Sequence, residues 1–156
     1  PRFKFTGIYI NSILAKTEAV LSGFDEAIVM NQAGYVSEGT GENIFVIKDG
    51  EIRTPPLTDN VLPGITRDTI IQLAQEELGL KVKEDHITRP ELYVVDEVFL
   101  TGTAAHISPV VELDNRKIGN GNIGPISKTL RDLYFEVATG NNPKYLHWCT
   151  PVSKSE

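Results

Sequence analysis

Three places in the sequence combine residue types that could do chemistry together: Lys4 just ahead of a helical run, Glu38 in the turn SEGTGEN at 37–43, and the loop-to-helix junction LPGITRD at 62–68. Free backbone N–H groups at a helix start, aided by the helix dipole, make an anion site, and Gly64 would let a phosphate approach the amides of Ile65 and Thr66. A carboxylate such as Glu38, held by a tight glycine turn, can pair with a protonated ring nitrogen and keep it protonated. A desolvated lysine beside such a ring can add to a carbonyl as a Schiff base. Each feature also has an ordinary reading. Lysines are mostly solvated at surfaces, Gly39 and Gly41 would suit a hairpin that needs positive φ, and Pro63 with Gly64 would suit any helix entry. Only their joint occurrence points to a site.

The elements that must position these residues are legible from periodicity. Between Thr6 and Gly23, Ile10, Ile13, Leu14, Val20 and Leu21 recur at helical spacing, with Gly23 as the stop, so a helix is expected directly after Lys4. The runs AIVM, YVSE, NIFVIK and EIRTP, separated by NQAG, GTG and DG turns, predict an antiparallel meander. A second helix is expected over 64–79, with Ile65, Thr69, Ile70, Leu73 and Leu78 on one face. Further on come a short helical stretch near Pro90 to Val94, strands EVFLTGT and ISPVVELD, a hairpin through DNRK, and a helix from Gly124 to about Thr139. Residues 149–156 read as a loose tail. The strand connections are mostly too short for parallel crossovers, so the expected class is α+β with a largely antiparallel or mixed sheet and packed helices.

Composition narrows the function classes. At 156 residues and 40% hydrophobic content the chain can build one sizeable core. A formal net charge of −6, with the basic residues scattered, opposes binding to nucleic acid. No apolar run approaches the roughly 18 residues of a membrane span, so no membrane partner is expected. No metal-ligand constellation stands out. The single cysteine, Cys149, cannot form an internal disulfide, and a cytoplasmic location fits that economy.

The quoted motifs resemble a known family. The run EGTGENIF at 38–45, IRT at 52–54 and LPGITR at 62–67 together are similar to the signature of the class IV, or fold-type IV, pyridoxal-phosphate aminotransferases. KFTGIYINSILAKTEA resembles that family's lysine segment, while TGTAAHISPV and IGNGNIGPISKTL look like the branched-chain amino acid aminotransferase version of its C-terminal large domain. The resemblance covers residues 3–140. It implies pyridoxal 5'-phosphate as cofactor and transamination between branched-chain L-amino acids and 2-oxoglutarate. It also implies that Lys4 is the catalytic, cofactor-bearing lysine that moves the substrate proton. Tyr9 would face the cofactor's phenolic oxygen, Glu38 its ring nitrogen and Leu62 its ring. The amides of Ile65 and Thr66, with Thr103, would hold the phosphate, and Thr103 and Ala104 would meet the substrate carboxylate. Glu42 reads as a turn-forming carboxylate.

Domain limits follow as 1–140 for the cofactor-binding domain and 141–156 for a C-terminal tail. The family's smaller N-terminal domain, which brings a phosphate-binding arginine, has no counterpart in this sequence and is expected as a further partner. The chain alone should therefore fold without transaminating and expose apolar side chains that favour a homo-oligomer. A D-amino-acid aminotransferase, an aminodeoxychorismate lyase, and a catalytically silent binding module remain the alternatives.

Overall fold

The computed structural model describes residues 3–150. A 3-10 turn at Thr6–Ile8 runs into α1 (Tyr9–Leu21), and β1 (Ile28–Met30) and β2 (Val36–Gly39) then form a two-stranded antiparallel ribbon. β3 (Asn43–Lys48) and β4 (Glu51–Thr54) follow, then α2 (Ile65–Glu76) and β5 (Val82–Glu84). After a 3-10 turn at Pro90–Tyr93 come β6 (Glu97–Gly102), β7 (His106–Val110), the small hairpin β8 (Glu112–Leu113) and β9 (Arg116–Lys117), and α3 (Pro125–Ala138). The main sheet has the order β5-β4-β3-β6-β7, with only β4 and β5 parallel. The expected mixed, largely antiparallel α+β fold is what forms.

Local chemistry accounts for the turns. Asp49 (φ 50°) and Gly50 (φ 78°) join β3 to β4, and Asp114 (φ 49°) and Asn115 (φ 60°) join β8 to β9. These are successive left-handed residues of the kind that match hairpin twist. The expected continuous meander is interrupted, however. β2 pairs with β1 and β3 pairs with β4 and β6, while the turn between β2 and β3 closes on Gly39 N–H donating to Glu42 O at 2.7 Å.

The sheet carries apolar side chains on both faces, as the period-2 alternation of β3 and β6 requires. On one face Phe45, Ile47, Phe99 and Ile107 pack with Ile70 and Leu73 of α2 and Leu130 and Val137 of α3. Phe45 and Phe99 are register partners, and their rings stack 5.0 Å apart. On the other face Ile44, Val46, Val98 and Leu100 meet Val36, Ile87 and Leu92. The start of α3 is closed from a distance: buried Glu97 accepts the N–H groups of Ile126 (3.1 Å) and Ser127 (2.7 Å). Such a carboxylate satisfies amides that would otherwise be orphaned.

Three expectations change. The apolar stripe of α1 does not enter the core: the helix buries no residue, and Ile13 and Leu14 are 61% and 65% exposed. Ile65 does not share the buried face of α2, being 76% exposed, while Thr66 and Arg67 are buried in its place. Residues 143–148, assigned to the tail, form a 3-10 turn whose Tyr145 is buried in the core and donates its hydroxyl to Glu77 at 2.7 Å. Most of the remaining tail lies outside the described residues.

Candidate active site

Glu38, on β2, is the centre of the arrangement. Its Oε2 accepts the Leu62 amide N–H at 2.8 Å and Asn43 Nδ2 at 3.3 Å, and Asn43 Nδ2 also donates to Leu62 O at 2.8 Å. One carboxylate and one amide side chain thus fasten the entry to α2 onto the β2–β3 turn. Burial pushes the Glu38 carboxyl above the usual carboxylate range, against the opposing pull of the Leu62 amide and of Lys4. Burial raises Glu42 as well. Glu26 goes the other way: burial opposes it, yet hydrogen bonds from Lys16 and Thr40 hold it low.

Gly64 is explained by this fastening. A Cβ there would lie 2.1 Å from Asn43 Oδ1, so the close approach that the residue permits is to Asn43. The same contact leaves α2 with a glycine N-cap and no side-chain cap, so the first amides of the helix keep their donors. Gly39 and Gly41 are not in the left-handed region that the hairpin reading expected. Glu42 shapes that turn: its Oε2 accepts Gly41 N–H at 3.0 Å and would sit 3.0 Å from a Cβ at Gly39.

Tyr9, Glu38 and Leu62 line one cavity of about 930 Å³ between the start of α1, the β1–β2 ribbon and the loop before α2. Lys4 stands just outside that lining, with Nζ 5.9 Å from the centre of the Tyr9 ring. The expected desolvation of Lys4 is not found: among the described residues no element packs over residues 3–6, and Lys4 is exposed. Ile65, Thr66, Thr103 and Ala104 are not part of the lining either. Asn43 pairs in register with Thr101, and the exposed turn carrying Thr103 and Ala104 begins two residues later. A Cβ on Gly102 would touch Gly41 O at 3.4 Å, so that turn adjoins the glycine turn. Buried Thr101 Oγ1 has no partner among the described residues.

Sequence reasoning assigned no role to Asn43, Asp59 or His86. Asn43 lies inside the quoted EGTGEN run and could have been singled out there. Asp59 and His86 meet only through the fold, at 2.8 Å.

A helix start with free donors, a desolvated carboxylate and a tyrosine-lined cavity on this α+β frame define a class of protein, and direct comparison agrees: residues 1–113 match the family model "Amino-transferase class IV", and the chain belongs to that family. Within it, the similarity is to branched-chain-amino-acid aminotransferases. The chain is 57% identical over 151 residues to a probable branched-chain-amino-acid aminotransferase of Aquifex aeolicus, covering 97% of this chain and 49% of the relative. The branched-chain amino acid aminotransferase of Thermobaculum terrenum in its PLP-form superposes with a TM-score of 0.96 at 45% identity, over 99% of this chain and 50% of that one. A T.th. branched-chain amino acid aminotransferase complexed with N-(5'-phosphopyridoxyl)-L-glutamate gives a TM-score of 0.92 at 47% identity, over 96% and 50%. The chain spans about half the length of the relatives it matches.

Proposed function

We propose that this chain is the cofactor-holding part of a pyridoxal-phosphate-dependent aminotransferase that moves an amino group between branched-chain L-amino acids and 2-oxoglutarate. The observation that carries the reading is Glu38: a carboxylate raised by burial, yet fixed by the Leu62 amide on the wall of a cavity it shares with Tyr9. A protonated ring nitrogen calls for such a carboxylate. The other residues fit the same ligand. The cavity falls within the roughly 300–1,000 Å³ of small-molecule sites. The uncapped start of α2 offers free amide donors for a phosphate.

On this reading Glu38 holds the ring nitrogen, Tyr9 the phenolic oxygen, Leu62 one ring face, and the amides of Ile65 and Thr66 with Thr103 the phosphate. Lys4 anchors the cofactor and carries the proton to and from the substrate α-carbon, while Thr103 and Ala104 meet the substrate carboxylate. Bound there, the cofactor supplies an electron sink for the pair left when the α-carbon loses its proton. The substrate assignment is supported by the names of the relatives and by the glutamate adduct of the T.th. protein, since glutamate is the amino form of 2-oxoglutarate. A self-associating, cytoplasmic protein belongs to the same proposal, supported by the bare face of α1 and the unpaired Cys149.

Amino-group transfer to 2-oxoglutarate from valine and from D-alanine, measured on the full-length protein, tests the reading. Valine is expected to react, and Lys4→Ala to abolish turnover with cofactor binding still detectable, because the α2 amides remain. Turnover of D-alanine alone would overturn the substrate assignment, and near-parental turnover by Lys4→Ala the role of the lysine. Glu38→Gln is expected to lower the rate roughly thirty- to several-hundred-fold with binding retained, from about 2–4 kcal/mol of lost charge-assisted stabilisation.

A further inference from the structure

We propose that Asp59 and His86 are a positioning pair that keeps the Leu62 amide on Glu38, a role that rests on the functional reading above only for its effect on the cofactor. Asp59 is 3% exposed, and a carboxylate that deep requires a partner. Among the described residues its side chain has one, His86 Nδ1 at 2.8 Å. An ionised carboxylate only accepts, so in this pairing Nδ1 is the donor the geometry calls for.

His86 is itself held on three sides. Its ring stacks on Tyr35 at 4.5 Å and 20°, its N–H donates to Asp85 Oδ1 at 2.9 Å, and its carbonyl accepts Arg53 Nη2 at 2.7 Å. Tyr35 is fixed in turn, its N–H donating to Asn31 Oδ1 at 3.0 Å and its carbonyl accepting Asn31 N–H at 2.8 Å. The pair therefore joins three separate segments: the loop before α2, the exit of β5 and the turn between β1 and β2. All three line the cavity.

The consequence travels a short way along the chain. Asp59 closes the 3-10 turn Leu57–Asp59, Asn60 follows in the left-handed region at φ 65°, and Leu62 then presents its amide to Glu38. A left-handed asparagine is a soft joint, because the conformation is accessible to it without being strongly preferred. With Asp59 anchored, the joint has one setting. With Asp59 released, the 57–62 loop can rotate about Asn60 and carry the Leu62 amide away from the carboxylate that sequence reading placed at the cofactor nitrogen.

The test uses His86→Ala and His86→Asn in the full-length protein, because asparagine Nδ2 can occupy the place of imidazole Nδ1 and restore the donor without the ring. Hydrogen exchange of the Leu62 amide in cofactor-free protein is expected to quicken by about tenfold or more in His86→Ala and to return within about threefold of the parent in His86→Asn. Amides of β3 serve as the control for general loosening. Unchanged exchange at Leu62 in His86→Ala, or equal acceleration in β3, overturns the proposal, as does failure of asparagine to rescue. In parallel, affinity for pyridoxal 5'-phosphate is titrated by its visible absorbance. Weakening of about tenfold in His86→Ala with recovery in His86→Asn supports the role at the site, and unchanged affinity despite faster exchange overturns that role. A parent protein that binds no pyridoxal phosphate refutes the functional reading, while the exchange result still decides whether the pair fixes the loop.

Discussion

α1 and α3 are helices of 13 and 14 residues that each carry apolar side chains, and they end in opposite conditions. α3 lays Leu130 and Val137 into the sheet and has its first turn closed by Glu97. α1 buries nothing, keeps its stripe in solvent and stands over the cavity that holds Tyr9 and Glu38. The lesson is that stability and chemistry are spatially divided here. The α2/α3 face of the sheet is closed over by two helices, whereas α1 leaves its apolar stripe bare beside a cavity that holds Glu38, a carboxylate raised by burial.

The division can be broken most sharply by deleting core volume. Leu130→Ala is expected to destabilise the chain by about 2–5 kcal/mol in urea unfolding, the range for a buried leucine. A loss below about 1 kcal/mol would mean that α3 is not part of the cooperative core. Next in size is Glu97→Ala, expected to cost about 1–3 kcal/mol because two amides of α3 lose their acceptor without gaining water.

The acid limb of stability sharpens the contrast further. Hydrogen bonds from the Thr88 hydroxyl and amide, with Arg53, hold Glu91 down to about 2 from an ordinary 4.5. A lowered carboxyl stabilises the fold above its unfolded value and loses that contribution as pH falls through its folded one. The stability gap between the parent and Glu91→Gln should therefore be full at neutral pH and shrink between about 4.5 and 2. Glu38 is raised by burial, so its sign is reversed: its contribution is present below the ordinary value and lost as pH rises through the folded one. Glu38→Gln should make the cofactor-free protein more stable at neutral pH, with the advantage fading in acid. A destabilised Glu38→Gln at neutral pH would show that Glu38 serves the fold rather than the site. The smallest stability effect is expected on the bare helix. Leu14→Lys should change stability by less than about 0.5 kcal/mol, yet shift size-exclusion elution toward smaller species if that face mediates self-association.

Much of this frame was legible because its punctuation is local. The Asp49-Gly50 and Asp114-Asn115 turns and the Pro63-Gly64 entry announce themselves in adjacent residues, and the strands between them stand out as short β-type runs. The lysine segment, Glu38 and the α2 start were legible as a motif, yet their surroundings were not. Periodicity showed that α1 has an apolar face without showing what covers it. The sequence reading also grouped Ile65 with Ile70 and Leu73, although at 3.6 residues per turn Ile65 lies about 140° from Ile70 and Thr66 falls on the buried side instead. Glu97 caps a helix that begins some thirty positions away, Asp59 finds His86 across the fold, and Tyr145 enters the core from what read as a tail. Each of these depends on a partner distant in sequence, where composition and spacing carry no signal.

The strand order also sets a timetable for synthesis. β3 is buried along almost its whole length, and it lies between a neighbour made at once and one made much later: Val46 pairs with Arg53, whereas Asn43 pairs with Thr101. A ribosome therefore delivers the hairpin β3–β4 early and leaves the other edge of an apolar strand open while α2, β5 and the following turn are still being added. Until residue 102 has emerged, that edge can pair with any extended chain nearby. The nascent protein is most prone to aggregate in this interval, and slowing translation after β6 has emerged would help it less than a chaperone holding β3 before then.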